Sequence, residues 1–210
     1  MYLNLSDLPS SEIYHLLTQT VIPRPIAWIL TENARPEHSQ YDQYNLAPFS
    51  FFNAMASNPP AFVVSIGKKT ETQEKDTRAN LKEGHYCVVH IPQVGQMNKV
   101  SDSAATKDYG DSELDSINQT LIDFDAFPLP RLAESPIAFG CEVARIVEWG
   151  ETPQAIILLE VKCAFIDEAI KSEDAKGRLK VDANKLNPLA RLGANEYAAI
   201  GEALTLQRPK

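Results

Sequence analysis

Two short stretches carry the residues that could do chemistry. Asn45-Leu46-Ala47-Pro48-Phe49-Ser50-Phe51-Phe52-Asn53 is apolar and aromatic with a hydroxyl at its centre, and Lys75-Asp76-Thr77-Arg78-Ala79-Asn80 offers an ammonium, a hydroxyl and an amide close together. In the first, Pro48 removes an amide donor and holds the chain extended, while Ala47 and Ser50 keep it narrow enough for backbone groups to reach a flat ring. Phe49, Phe51 and Phe52 can pack around such a ring or into a core, and alternation assigns them to both. The second stretch suits a phosphate dianion. If Asp76 or Thr77 caps a helix containing Asn80, its first free amides face the same volume as the Thr77 hydroxyl, with the Lys75 charge beside them. Asp76 would repel phosphate, so its role is read as a cap or lysine orienter; Lys69, on the neighbouring loop, is expected to contribute less. Ser65-Ile66-Gly67 ends a strand with a hydroxyl and a residue without a side chain, which allows close approach of a ligand.

A flat ring joined to a phosphate describes the flavin phosphate FMN. With Pro23-Arg24-Pro25-Ile26-Ala27-Trp28 upstream and Pro59-Pro60 in between, these motifs closely resemble the flavin reductase-like family, whose members bind FMN on a split β-barrel. The resemblance is distinctive from about Thr20 to about Ile91 and continues more weakly to Tyr197. It implies an FMN site made by Arg24, Asn45, Ala47, Pro48, Phe49, Ser50, Ser65, Gly67, Lys75, Asp76, Thr77 and Asn80. Leu189-Ala190-Arg191-Leu192-Gly193-Ala194-Asn195-Glu196-Tyr197 resembles the family's C-terminal arginine-glycine-tyrosine segment, which lies near the flavin face in a dimer. That likeness gives Arg191 and Tyr197 to nicotinamide or substrate, and Ala194 stands where a second glycine is often seen. The implied activity is hydride transfer from NADH or NADPH to the flavin, followed by electron delivery to free flavin, another acceptor or a partner monooxygenase, in a homodimer. The alternative is an FMN-binding electron carrier or flavin-holding protein with little turnover. In either case the cofactor carries the chemistry and no dedicated side-chain acid, base or nucleophile is required.

Other chemistries find no support. The chain has no G-x-G-x-x-G fingerprint, Walker loop or G-x-S-x-G elbow. His85 and His90 read as strand histidines on opposite faces, and Cys87, Cys141 and Cys163 as separate buried thiols, so no metal site is expected. The 20 basic and 28 acidic residues give a net charge of −8, with the basic ones scattered, which disfavours nucleic acid and anionic membrane as partners. No run approaches the ~20 apolar residues of a spanning helix, and the polar start at 1–13 lacks a signal-peptide pattern, so a cytoplasmic location is expected.

The elements that must position these motifs follow from length and pattern. A chain of 210 residues, 44% apolar, suits one domain over 1–210, with a helical lead-in at 3–20 capped by Ser10 or Ser11 and a C-terminal segment at 186–210. Two prolines in 21–31 predict an edge or bent barrel strand, and 32–44 reads as a polar, proline-containing hairpin or loop. Apolar runs at 61–67, 85–91, 139–149 and 155–166 predict strands; in the last, Ala155, Ile157, Leu159, Val161, Cys163 and Phe165 form one alternate face. Helices are expected at 76–83, closing at Gly84, and within 93–105. The acidic stretch 102–127 reads as a mobile loop over the barrel rim, and the charged 171–185 as exposed but locally paired through Leu179 and Val181. The fold class expected is mainly β with helical insertions, an antiparallel barrel, which the resemblance refines to a split β-barrel.

Overall fold

The computed structural model describes residues 1–33, 43–108, 111–151 and 154–206. Its main sheet has seven strands, numbered here among themselves: β1 (Ala27–Glu32), β2 (Tyr44–Phe49), β3 (Phe52–Ser57), β4 (Pro60–Ile66), β5 (Tyr86–His90), β6 (Ile137–Trp149) and β7 (Gln154–Ile166). They pair antiparallel throughout, in the order β2-β1-β5-β6-β7-β4-β3. The two edge strands, β2 and β3, are thus consecutive in sequence. Laid flat, seven strands about 4.8 Å apart would separate those edges by roughly 29 Å. Phe49 and Phe52 are only three Cα steps apart, which span at most about 11 Å. The sheet must therefore roll until its edges meet at Ser50-Phe51, giving an antiparallel barrel split along the β2/β3 seam. At the seam the Phe51 carbonyl accepts the Ser65 N–H at 2.8 Å.

Period-two burial fills both faces of this sheet. Ala27, Ile29, Phe49, Val64, Cys87, Val89, Cys141, Val143, Ile157 and Leu159 point into the barrel. The intervening Trp28, Leu30, Leu46 and Val88 point out, where they pack against Val100, Leu114, Ile117, Phe124, Leu129 and Leu132. The second cluster corrects the reading of 102–127 as a mobile loop: its apolar residues cover the outer barrel face, and Ser112, Glu113, Leu114 and Ile117 are all buried. Burying each such aliphatic side chain contributes roughly 1.5–3 kcal/mol, enough to order a stretch whose composition looks solvated. Trp28 Nε1 anchors this layer by donating to Ser103 Oγ at 2.9 Å. In β7 the expected alternate face holds through Val161, after which a bulge between Val161 and Cys163 turns Cys163 and Phe165 to the outer cluster.

Five α-helices complete the described chain: α1 (Ser10–Thr20), α2 (Asp76–Asn80), α3 (Met97–Asp102), α4 (Leu114–Ile117) and α5 (Ala183–Leu186). Pro9, not Ser10 or Ser11, occupies the N-cap of α1, and no side chain caps it. The first stop signal after α2 is not Gly84 but Leu81, which turns extended and buries in the barrel interior, ending the helix three residues before the expected Glu83. Gly84, at φ +83°, makes the turn into β5 instead. The proline-containing lead strand is broken, with Arg24–Pro25 pairing not with the barrel but with Ala190–Arg191, which in turn pairs with Tyr197–Ala198. Leu179–Val181 pairs with Lys171–Glu173 as expected. The loop expected at 32–44 lies largely outside the described residues. No helix among the described residues is long and apolar enough to cross a membrane.

Candidate functional site

The seam between β2 and β3 opens onto three adjoining cavities that share Pro48 and Phe49. One, of about 140 Å³, is lined by Asn45, Ala47, Lys69, Lys75, Asp76, Thr77, Lys107 and Glu113. A second, of about 300 Å³, is lined by Tyr14, Ser50, Phe51, Ser65, Gly67, Lys75 and Gln154. The third, of about 230 Å³, is lined by Tyr14, His15, Thr18, Arg24, Ile26, Ser50, Arg191, Ala194 and Tyr197. The two sequence motifs, 30 residues apart, therefore meet along one cleft because β2 runs beside the segment that enters α2.

The first cavity gathers three lysines, Lys69, Lys75 and Lys107, with two acids, Asp76 and Glu113. Lys75 sits at the N-cap position of α2, its ammonium 5.7 Å from the centroid of the Phe49 ring, and partial desolvation lowers its pKa. Among the described residues it has no ion-pair or hydrogen-bonding partner. The side chain is exposed, so its charge is open to an anion entering the cavity. Thr77 is buried, and its Oγ1 accepts a hydrogen bond from Asn45 Nδ2 at 2.8 Å. With that acceptor site filled, the hydroxyl proton is left to donate elsewhere. Neither Asp76 nor Thr77 caps α2, which corrects the capping expectation; a helix of five residues also adds little dipole. Asp76 instead holds Lys69, whose Nζ lies 3.5 Å from Asp76 Oδ1 and donates to the Lys107 carbonyl at 2.5 Å. Lys69, expected to be peripheral, thus lines the same cavity as Lys75, with its charge already engaged.

At the other end, Arg24 is a clamp. Only 7% exposed, it donates through Nε to Ser50 Oγ at 3.2 Å, through Nη1 to the Thr18 carbonyl at 2.5 Å and the Val21 carbonyl at 3.4 Å, and through Nη2 to the Leu192 carbonyl at 2.8 Å. The guanidinium thereby satisfies the C-terminal end of α1, fixes the C-terminal segment and holds the Ser50 side chain. Burial lowers the Arg24 pKa, with Arg191 adding to the effect and Tyr14 opposing it. Ser50, like Thr77, has its oxygen occupied as an acceptor and its proton free for the cleft.

The C-terminal segment forms the far wall. The Arg191 guanidinium lies 4.5 Å from the Tyr197 ring centroid and donates to the Ala194 carbonyl. Ala194 has φ +47°, the left-handed conformation that favours glycine. The alanine at this position therefore keeps the turn at a conformational cost. A Cβ at Gly193 would collide with the Gln19 side chain, so the segment lies directly on α1.

Of the expected site residues, Asn80 alone stands apart. Its Nδ2 donates to Thr31 Oγ1 at 3.0 Å and Asn33 Oδ1 at 2.8 Å, and it borders a different cavity, with Lys82 and His85. The early end of α2 places Asn80 on that side. His90 is a satisfied core histidine: Nδ1–H donates to the Trp28 carbonyl at 3.1 Å and Nε2 accepts the Leu132 N–H at 3.0 Å. Cys87 and Cys141 are buried free thiols, and Cys163 is half-buried. Residues absent from the expected site are Tyr14, His15 and Thr18 from α1, Gln154 from β7, and Lys69, Lys107 and Glu113. Which face of α1 meets the cleft is set by tertiary contacts, Arg24 with the Thr18 carbonyl and Gly193 with Gln19. Glu113 carries no local signal at all, since only tertiary packing brings it beside Thr77.

Comparison with known proteins gives a consistent result. The model of the family described as "Flavin reductase like domain" matches residues 19–181. YwrF, an uncharacterized protein of Bacillus subtilis, is 33% identical over the whole of both chains. Nitrilotriacetate monooxygenase component B from Bacillus cereus has a crystal structure that matches with a TM-score of 0.86 and 28% identity over 98% of each chain. The fold is shared as well by the 2-nitrobenzoate 2-nitroreductase NbaA of Pseudomonas fluorescens, with a TM-score of 0.83 and 24% identity over 100% of this chain and 96% of that one.

Proposed function

The chain belongs to the flavin reductase-like family of FMN-binding flavoproteins, and from that premise we propose that it is an NAD(P)H-dependent oxidoreductase whose cleft holds FMN across the barrel seam. The observation that carries this reading is Lys75, a solvent-accessible ammonium without an ion-pair or hydrogen-bonding partner among the described residues, lining one cavity with the buried Thr77 hydroxyl. Lys75 and Thr77 hold the phosphate, with Ser65 and Gly67 along the path from it. Pro48 and Phe49 line the middle of the cleft, and Ser50 presents its proton at the ring end. When bound, FMN supplies the hydride-accepting ring; the chain orients it and excludes water. Tyr14, Arg191 and Tyr197 wall the third cavity, which receives the nicotinamide of NADH or NADPH.

The reading includes a homodimer. Tyr14, Leu17 and Val21 are exposed apolar residues on and just beyond α1, followed by exposed Ile22 and with the Tyr14 ring 6.0 Å from that of exposed Phe51, and β3 has an unpaired edge. Such a patch with an open strand edge suits burial against a second copy. The name of the Bacillus cereus relative, a monooxygenase component, supports a partner oxygenase as the acceptor. The test is the absorption spectrum of the purified protein, identification of the released chromophore, and stopped-flow mixing with NADH and NADPH. FMN that bleaches on mixing is the expected outcome. FMN that stays oxidised would make this a flavin-holding protein, and a colourless chain that does not take up FMN would overturn the site.

A further inference from the structure

Glu113 is the one buried ionisable side chain of the cleft that the reading above leaves without a role. It is 6% exposed, lines the cavity of Lys75 and Thr77, and accepts the Leu46 N–H through Oε2 at 3.4 Å. Among the described residues it forms no ion pair. The charged groups facing it are Asp76 and Lys75 from α2, Lys69 from the preceding loop and Lys107 from the segment after α3; β2 presents only Asn45 and the Leu46 backbone. Lys69 is engaged by Asp76 and the Lys107 carbonyl, and Lys107 Nζ donates to the Ser112 carbonyl at 2.7 Å. A phosphate dianion entering this cavity would thus meet two acids and one uncommitted cation.

We propose that Glu113 binds the phosphate as a neutral acid: occupancy of the cavity by a phosphate monoester drives one proton from solvent onto the Glu113 carboxyl, which then donates a hydrogen bond to a phosphate oxygen. This rests on the FMN reading of the cleft. A carboxylate there could only repel the ligand, whereas a carboxylic acid adds a third donor to those of Lys75 and Thr77. Burial, reinforced by Asp76, already pushes the Glu113 carboxyl up to about 7 despite opposing pulls from its own N–H, the Leu46 N–H and Lys107. The proton is therefore available near neutral pH, and bringing a dianion close raises the affinity for it further.

The test is titration calorimetry with FMN and with riboflavin at pH 8, in buffers of different ionisation heat. At that pH the phosphate is fully dianionic, and a carboxyl of pKa about 7 is mostly ionised in the free protein. Wild-type protein is expected to take up close to one proton with FMN and none with riboflavin. Its FMN affinity should fall about tenfold per pH unit above 8. In Glu113→Gln the uptake should vanish and the affinity become flat with pH. Infrared difference spectra of the wild-type protein should show a carboxylic acid band appearing with FMN, a readout that does not depend on the variant folding. Uptake that persists in Glu113→Gln would place the proton on Lys75 and overturn the proposal. So would FMN binding with no proton exchange, which leaves the cleft reading intact; failure of FMN to bind at any pH would instead sink that reading.

Discussion

Replacing Arg24 by alanine separates a clamp from a ligand-facing cation. The two short hydrogen bonds, to the Thr18 carbonyl at 2.5 Å and the Leu192 carbonyl at 2.8 Å, carry most of the energy; those to Ser50 at 3.2 Å and Val21 at 3.4 Å are longer and weaker. A hydrogen bond to a charged donor contributes about 1.5–3 kcal/mol, so the short pair alone accounts for roughly 3–6 kcal/mol. Water can enter the space left by the side chain and solvate both carbonyls, which brings the expected loss to the lower end, about 3–4 kcal/mol. Lysine, a single point donor, cannot span carbonyls on α1 and the C-terminal segment together and should recover less than half. The assay is urea unfolding of the flavin-free protein with hydrogen exchange read by segment. The midpoint should drop, and exchange should accelerate in 10–20 and 190–198, the two stretches Arg24 ties together. If flavin-free Arg24→Ala matches wild type within about 0.5 kcal/mol and loses only flavin affinity, Arg24 acts on the ligand and the clamp reasoning is refuted.

Lys75→Met should act with opposite signs on ligand and fold: FMN affinity falls roughly 10- to 150-fold for a lost charge-assisted contact while riboflavin binding changes little. The flavin-free protein should meanwhile gain slightly in stability, since the lowered lysine pKa marks a cost to the folded charge that solvent largely screens at this exposed site. Ala194→Gly should stabilise the chain by about 0.5 kcal/mol in thermal melts, the relief of the left-handed alanine less glycine's unfolded-state entropy; a loss of about 0.5–1 kcal/mol would show that the turn is unstrained. His90 is held by burial at a pKa of about 3 against 6.5 unfolded, so the unfolded state binds the extra proton and stability falls as pH drops from 6.5 toward 3, by up to about 1.4 kcal/mol per unit. Glu113, raised to about 7, opposes this between pH 7 and 4.5, so acid sensitivity in urea melts should be steeper in Glu113→Gln than in wild type.

The barrel was legible because its signals are local. Runs such as Ala155 to Leu159 alternate cleanly, and the motif at Lys75 brings its cation and hydroxyl together without help from distant residues. What the sequence concealed depends on contacts far along the chain. Leu81 ends α2 because the barrel interior takes it, and that single event moves Asn80 off the cleft. The acidic stretch around Glu113 looks solvated until Leu114 and Ile117 are seen packing on Trp28 and Leu30. The clamp that Arg24 makes is hidden because its partners, Thr18, Ser50 and Leu192, come from three separate segments.

That the cleft straddles two strands adjacent in sequence but at opposite ends of the hydrogen-bonded order ties ligand retention to completeness of the whole ladder. The β3–β4 pairing brings Ser50 and Ser65 to one volume, and the rest of the ladder back to β2 holds Pro48 and Asn45 against it. A ligand bound there stabilises only the closed circuit, by about 2.7 kcal/mol at a hundredfold excess over its Kd, and gives nothing to states in which any strand has detached. Unfolding of the loaded chain would accordingly become more all-or-none than that of the empty one, and Ser50-Phe51 would be the place where a cell short of flavin first exposes the backbone to proteases.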